Sequence, residues 1–154
     1  SIPPTEETIV DVELTTLQKK YYRAIFERNR GFLNSGMSGA NVGNLVNIEM
    51  ELRKCCNHPF LIKGLEEKEM GTNMTFDDRL DRLVACSGKM VFLDKLLRKL
   101  KAEGKKVLIF SQFKIMLNIL EELLEARAYL YERLDGSISG NARQRAIDRF
   151  QVRV

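Results

Sequence analysis

The chain has 154 residues, 44% of them hydrophobic and 30% charged, which is enough for a packed core and argues against general disorder. Its apolar runs fall far short of the roughly 20 residues that cross a bilayer, and no basic start followed by an apolar stretch marks a secretory leader. The net charge of +4 is mild and only weakly points to an anionic partner.

Residues 8–14, "TIVDVEL", place Val10, Val12 and Leu14 on one side, the period-two pattern of a strand. Thr15 and Gln18 then form a capping-box signature. Behind it, Leu17, Tyr21, Ala24 and Ile25 recur at helical spacing, so a helix is expected over about 16–29. The stretch 31–44 contains four glycines with serines and asparagines and reads as a loop. A second helix is expected over 44–56, with Leu45, Ile48, Leu52 and Cys55 or Cys56 as its apolar stripe, ending at Asn57 ahead of Pro59. Residues 65–85 begin as a candidate linker and end in one or two helical turns.

From Ser87 the pattern changes. Ser87 is placed to cap a helix whose core face is Met90, Leu93, Leu97 and Leu100, with Gly104 as its stop. A strand is expected at 107–110, a helix at 113–126, a second strand at 129–134 and a turn at Asp135-Gly136. A final helix starts near Asn141, with Gln144 as its capping partner. Strand, helix and strand at this spacing imply a right-handed parallel βαβ unit. The predicted fold class is therefore α/β: a helical region followed by part of a parallel sheet. Two strands fall short of the five or six or so of a doubly wound sheet. The remaining strands come from elsewhere, or the chain is a fragment.

Three cysteines, Cys55, Cys56 and Cys86, read without a leader as reduced thiols of the cytosol or nucleus. "RKCCNHPF" hints at a metal site, but adjacent cysteines on a helix point about 100° apart. His58 is the only histidine, so no tetrahedral ligand set is expected. "SGKM" at 87–90 has the Gly-Lys of a phosphate loop but lacks the earlier glycine and the following Ser or Thr; it reads as a helix start. No nucleophile–base pair is present, so no catalytic residue is predicted. The candidate binding positions lie where parallel strands end, because ligands bind beyond those carboxyl ends. Ser111 and Gln112 follow the first strand; Asp135, Gly136 and Ser137 follow the second. Each group precedes a helix N-terminus, a setting that favours phosphates. Lys105, Lys106, Arg143 and Arg145 add positive charge, and "RKLKAEGKK" at 98–106 holds five basic residues. The other reading of these positions is ordinary turns between strand and helix.

Five stretches, "VELTTLQKKYYRAIFERN", "MELRKCCNHPFLIKG", "SGKMVFLDKLLRKL", "KVLIFSQFKIMLNILEELL" and "YERLDGSISGNARQRAIDRF", resemble the Swi/Snf-type helicase-like ATPases in order and spacing. With the lead-in "IPPTEETIVDVEL", the chain is most similar to the chromodomain-helicase-DNA-binding (CHD) remodellers, over nearly all of 2–151. The resemblance implies two RecA-like lobes that clamp ATP and Mg and walk along nucleosomal DNA. Residues 1–85 would be the end of the first lobe and the helical protrusion between lobes. Residues 86–154 would begin an incomplete second RecA-like lobe. "VLIFSQF" matches motif IV and "RLDGSISGNARQRAIDRF" motif IVa, whose loops touch DNA backbone; the carry-over lands on Ser111, Gln112, Gly136, Ser137 and Arg143.

The Walker A lysine, the DEAH-type box and motifs V and VI are not among these residues. "SIPP" and "QVRV" read as cut or altered ends, and the isolated chain is expected to bind no cofactor and hydrolyse no ATP. The implied partners are nucleosomal DNA and the first lobe of the same protein, in the nucleus, with no membrane. An exposed sheet edge would favour dimers. Two alternatives stand beside this reading. One is a non-enzymatic module that binds a histone tail or another subunit through the early helices or the acidic face Glu121, Glu122 and Glu125. The other is a helicase-like ATPase acting in DNA repair or on RNA.

Overall fold

The computed structural model describes residues 2–30 and 42–152. The capping box forms as expected. Gln18 N–H donates to the Thr15 hydroxyl at 3.1 Å, and Thr15 N–H donates to Gln18 Oε1 at 2.9 Å. It opens α1, Thr16–Arg28, which buries Tyr21 and Ile25. Helix α2, Val42–Asn57, packs on α1 through Cys55, with Leu52 partly buried beside it. A 3-10 turn, Pro59–Leu61, follows. Then come α3 (Leu65–Glu69), α4 (Phe76–Ala85), α5 (Gly88–Ala102), α6 (Lys114–Ala126) and α7 (Gly140–Val152). No helix among the described residues is long and apolar enough to cross a membrane. Of the expected 31–44 loop, residues 31–41 lie outside the described residues.

The larger apolar cluster joins Phe60 and Leu61 to Leu80 and Leu83 of α4, Met90 of α5, and Met116, Ile119, Leu120 and Leu123 of α6. A smaller one joins Tyr21, Ile25 and Cys55. Leu17 packs against both. Ser87 caps α5 as expected, its hydroxyl accepting from Met90 N–H at 3.3 Å. Residues 65–69 are helical where a linker was expected. Five residues rarely hold a helix alone, but here tertiary bonds do so: Arg79 reaches Glu66 at 2.6 Å, and the Tyr21 hydroxyl donates to Glu69.

The predicted α/β class is not what forms. Among the described residues there is no strand and no sheet, so the parallel βαβ unit of a partial RecA-like lobe is absent. The expected strands at 8–14, 107–110 and 129–134 all lie in segments without regular secondary structure. At 107–110 the unbroken apolar run is not buried as a whole: Val107 and Ile109 are partly buried, whereas Leu108 is 69% and Phe110 89% exposed. Leu130 is 76% exposed. The physical reason is that a helix satisfies its backbone within itself, while a strand needs a neighbour at about 4.8 Å to take its N–H and C=O groups. An apolar run shows that a segment can be covered; it does not supply the neighbour. The sheet edge expected to drive dimers has no sheet to belong to among the described residues.

Two helices end in the same motif. After α5, Gly104 N–H donates to Lys101 O at 3.0 Å and Lys105 N–H to Leu100 O at 2.9 Å, with Gly104 at φ 70°. After α6, Ala128 N–H donates to Glu125 O at 3.0 Å and Tyr129 N–H to Leu124 O at 2.9 Å, with Ala128 at φ 56°. The left-handed conformation costs a residue with a Cβ about 1 kcal/mol. Ala128→Gly is therefore expected to raise the unfolding free energy by several tenths of a kcal/mol to about 1 kcal/mol. The check is the urea midpoint, which should rise with an unchanged slope.

Candidate nucleic-acid interface

Ser111 is partly buried and its hydroxyl is used locally. It accepts from Phe113 N–H at 3.2 Å and lies 3.3 Å from the Phe113 carbonyl, to which it donates. This closes the turn that leads into α6. Gln112, beside it, is exposed. Phe113 occupies the cap position of α6 without a side-chain cap bond, and no acidic residue lies in the first turn. The first helical residue is Lys114. The free N–H groups of this turn carry partial positive charge, and Lys114 adds a full one.

The second group is organised by Asp135. One carboxylate oxygen accepts from Ser137 N–H at 2.8 Å and from the Ser137 hydroxyl; the other accepts from Arg133 Nε at 3.1 Å. These hydroxyl and amide bonds, ahead of the nearby cations, hold the Asp135 carboxyl below its usual pKa. Its backbone carbonyl accepts from Ile138 N–H at 3.2 Å and from Arg143 Nη2 at 3.2 Å. Gly136 and Ser137 are exposed, and a Cβ on Gly136 would meet nothing within 4 Å. Arg143 and Arg145 are both exposed on α7. Ala146 is the buried residue of that face, with Ala142, Ile147 and Phe150 partly buried. Gln144 donates to Asp148 at 3.0 Å instead of capping the helix, which starts at Gly140.

The structure thus joins Asp135, Ser137 and Arg143 into one bonded loop. Among the described residues no hydrogen bond links that loop to Ser111 or Gln112. Arg133 was not singled out from the sequence. It donates to Asn118 at 2.6 Å and to Glu121 at 3.1 Å as well as to Asp135, so it ties the loop to the side of α6. An arginine two residues before Asp-Gly was the only available signal. Of the basic run, Lys106 Nζ donates to the Gln151 carbonyl at 2.7 Å, and Lys101 lies 4.7 Å over the Tyr129 ring. Lys105 is exposed.

The other candidates are occupied structurally. His58 is fully buried: its Nδ1 accepts from Phe60 N–H at 3.1 Å, so Nε2–H donates to Leu83 O at 2.7 Å. Burial lowers its pKa. Cys55 is buried, and burial pushes its thiol up to about 11. No group of three or more His, Cys, Asp or Glu among the described residues is placed to hold a metal ion. The acidic face is also engaged. Glu121 pairs with Arg133, Glu122 with Arg79 at 3.2 Å, and Glu125 accepts from Tyr131 at 2.7 Å.

Residues 1–61 match the model of the SNF2-related domain, and residues 88–153 that of the helicase conserved C-terminal domain. Chromodomain-helicase-DNA-binding protein 9 of Mus musculus and of Homo sapiens are each 56% identical over 97% of this chain. Chromodomain-helicase-DNA-binding protein 8 of Homo sapiens is 55% identical over 97%. The chain spans about a twentieth of the length of these relatives, 5% to 6%. The Sulfolobus solfataricus SWI2/SNF2 ATPase core in complex with dsDNA superposes with a TM-score of 0.75 at 26% identity, covering 92% of this chain and 27% of that one. The C-terminal domain of the Sulfolobus solfataricus SWI2/SNF2 ATPase gives the same score and identity over 92% of this chain and 56% of its own. The chain belongs to the SNF2-related helicase-like ATPases and, within them, to the chromodomain-helicase-DNA-binding proteins.

Proposed function

We propose that these residues serve an ATP-dependent chromatin remodeller, a DNA translocase working in the nucleus, and that the turn before α6 and the Asp135 loop hold DNA backbone phosphates. The observation that carries this is the superposition on an ATPase core whose structure contains dsDNA. The local chemistry supports it: an uncapped helix start with Lys114, an exposed Gly136-Ser137 turn, and an exposed Arg143 that spends one N–H on Asp135. Ser111 and Ser137 act here chiefly by shaping their turns, since both hydroxyl protons are donated within the chain. Gln112, Gly136 and Arg143 present the exposed surface.

ATP and Mg belong to the family. Gly88 and Lys89 begin α5 behind a buried Ser87, with no phosphate loop around them. No group of three or more His, Cys, Asp or Glu among the described residues is placed to hold a metal ion. No chemical step is assigned to this chain. As for the lobes, residues 86–154 are read as second lobe. The Sulfolobus solfataricus C-terminal domain, aligned over 92% of this chain, supports assigning most of residues 12–85 to the same lobe. The acidic-face form of the histone-tail alternative is less well supported, because Glu121, Glu122 and Glu125 are paired internally.

The test is a salt titration of binding to short duplex DNA. Affinity should fall linearly on a log–log plot, and Arg143→Gln should flatten the slope by about 0.9, the contribution of one neutralised phosphate. A slope unchanged by Arg143→Gln would remove Arg143 from the interface. Binding insensitive to salt would overturn the backbone grip.

A further inference from the structure

Arg133 stands between the two candidate loops. Its side chain is mostly buried and is used on two sides. Nη1 donates to Asn118 Oδ1 at 2.6 Å and to Glu121 Oε2 at 3.1 Å, both on α6. Nε donates to Asp135 Oδ2 at 3.1 Å. Asn118 comes four residues after Lys114, the first residue of α6, so Arg133 grips the face of that helix on which Lys114 stands. Lys114 is itself close to the second loop. After the Ser137 hydroxyl and amide, and with Arg133, its charge helps hold the Asp135 carboxyl below the usual carboxylate range. The turn before α6 and the Asp135 loop are therefore neighbours, although among the described residues no hydrogen bond joins Ser111 or Gln112 to that loop.

The Asp135 loop and α7 hold to each other. Arg143 Nη2 donates to Asp135 O at 3.2 Å, and Arg149 donates to both carboxylate oxygens of Glu132 at 2.7 and 3.1 Å. At the far end of α7, Lys106 Nζ donates to the Gln151 carbonyl at 2.7 Å. At the end that carries the loop, the tie to the helical core is Arg133. Helix α6 is a firm base for that tie. Met116, Ile119, Leu120 and Leu123 sit in the larger apolar cluster. At its carboxyl end Arg127 donates to both oxygens of Asp94 on α5, at 3.1 and 3.0 Å. A loop already held in place loses less conformational freedom when it binds, and two loops held at one separation can meet one duplex together.

We propose that Arg133 is the positioning residue of the interface: it fixes the Asp135 loop and Arg143 against α6, so that Lys114 and Arg143 meet the phosphates of one duplex as a single preformed site. Arg133 acts through these neighbours and touches no phosphate itself. The planar fork of the guanidinium makes this possible, because its edges serve Asp135 and α6 at once. A lysine carries the same charge on a single flexible point and cannot hold both sides in a fixed geometry. The proposal rests on the backbone grip argued above, but the anchoring is measured without DNA, so the two fail separately.

The experiment uses the whole chain and Arg133→Lys. In a Cys56→Ser background, spin labels at Lys95→Cys on α5 and Asn141→Cys on α7, both exposed positions, report the anchoring in the absence of DNA. The parent should give one narrow distance, and Arg133→Lys a distribution about twice as broad with the helical signal unchanged. In the salt titration, Arg133→Lys should flatten the slope by about 0.9 and weaken duplex binding about eightfold at about 0.1 M salt, the contribution of one phosphate, although no charge has been removed. Arg143→Gln added to Arg133→Lys should flatten the slope no further. A 95–141 distance as narrow in Arg133→Lys as in the parent would overturn the proposal. So would an Arg143→Gln step of equal size in both backgrounds. Affinity and slope kept in full by Arg133→Lys would make Arg133 a plain charge contact, which also overturns it. Salt-insensitive binding by a parent with a narrow distance that broadens in Arg133→Lys would overturn the backbone grip and leave the anchor standing.

Discussion

Leu123→Ala is expected to lower the unfolding free energy by about 3 kcal/mol, the usual cost of deleting three carbons from a fully enclosed site. Leu123 is fully buried on α6, in the cluster that holds Leu83 of α4, Met90 of α5 and Phe60 of the 3-10 turn. Part of the loss is transfer free energy, and part is the cavity that these neighbours close only incompletely. For a chain of this size the melting temperature should drop by about 10 °C, at roughly 2–4 °C per kcal/mol. The loss should be felt throughout. Because Leu17 and Phe60 share the cluster, a reporter on α1 and a reporter on α6 should move to the same lower urea midpoint. If the α1 reporter kept its midpoint while the α6 reporter shifted, the two halves would not share one core.

His58→Phe should cost about 3 kcal/mol at neutral pH, although an aromatic ring is kept and no cavity is made. The reason is the two backbone groups left behind: Leu83 O loses its donor and Phe60 N–H its acceptor, both away from water. The same variant should change the pH dependence of stability. Burial holds the imidazole neutral and lowers its pKa in the folded chain, against a smaller opposing effect of the Leu83 carbonyl and Glu66. As pH falls, the unfolded chain takes up this proton first, at about 6.5. Stability from His58 is therefore complete above that pH and declines as pH falls below it toward the lowered folded value. Urea midpoints at pH 7.5 and pH 5.5 should separate more for the parent chain than for His58→Phe. Equal separations would show that His58 does not titrate differently in the two states.

The helices were legible because their signals are local. Thr15 with Gln18, Ser87 before Gly88, and Gly104 at φ 70° are side chains or backbone freedoms acting within one turn of where they stand. The end of α6 shows the limit of that reading, since the same carboxyl-terminal motif forms there on Ala128, which no glycine announces. The family was legible for another reason: five motifs in a fixed order are specific even when each is weak. At the two candidate loops, the structure shows local bonding that the sequence did not. Ser111 and Ser137 were placed in turns ahead of helix N-termini, and their hydroxyls are bonded to Phe113 and Asp135 within those turns. Arg133, which ties the second loop to α6, had only its place two residues before Asp-Gly as a signal, because its partners Asn118 and Glu121 come from another element.

Sequence by itself determined where most of the longer helices begin, which of their faces are apolar, and the family, since each depends on residues close together or on their order; the short helix at 65–69 was read as a linker. Only the tertiary structure decided the rest. The expected strands "VLIF" and "YLYERL" found no partner among the described residues, because pairing is a property of two segments and pattern a property of one. Gln18 read as half of a capping box, yet its amide also reaches Cys55, Cys56 and Gly88, up to 70 positions away. A buried amide must satisfy both of its ends, and which groups it meets is set by how α1, α2 and α5 come together.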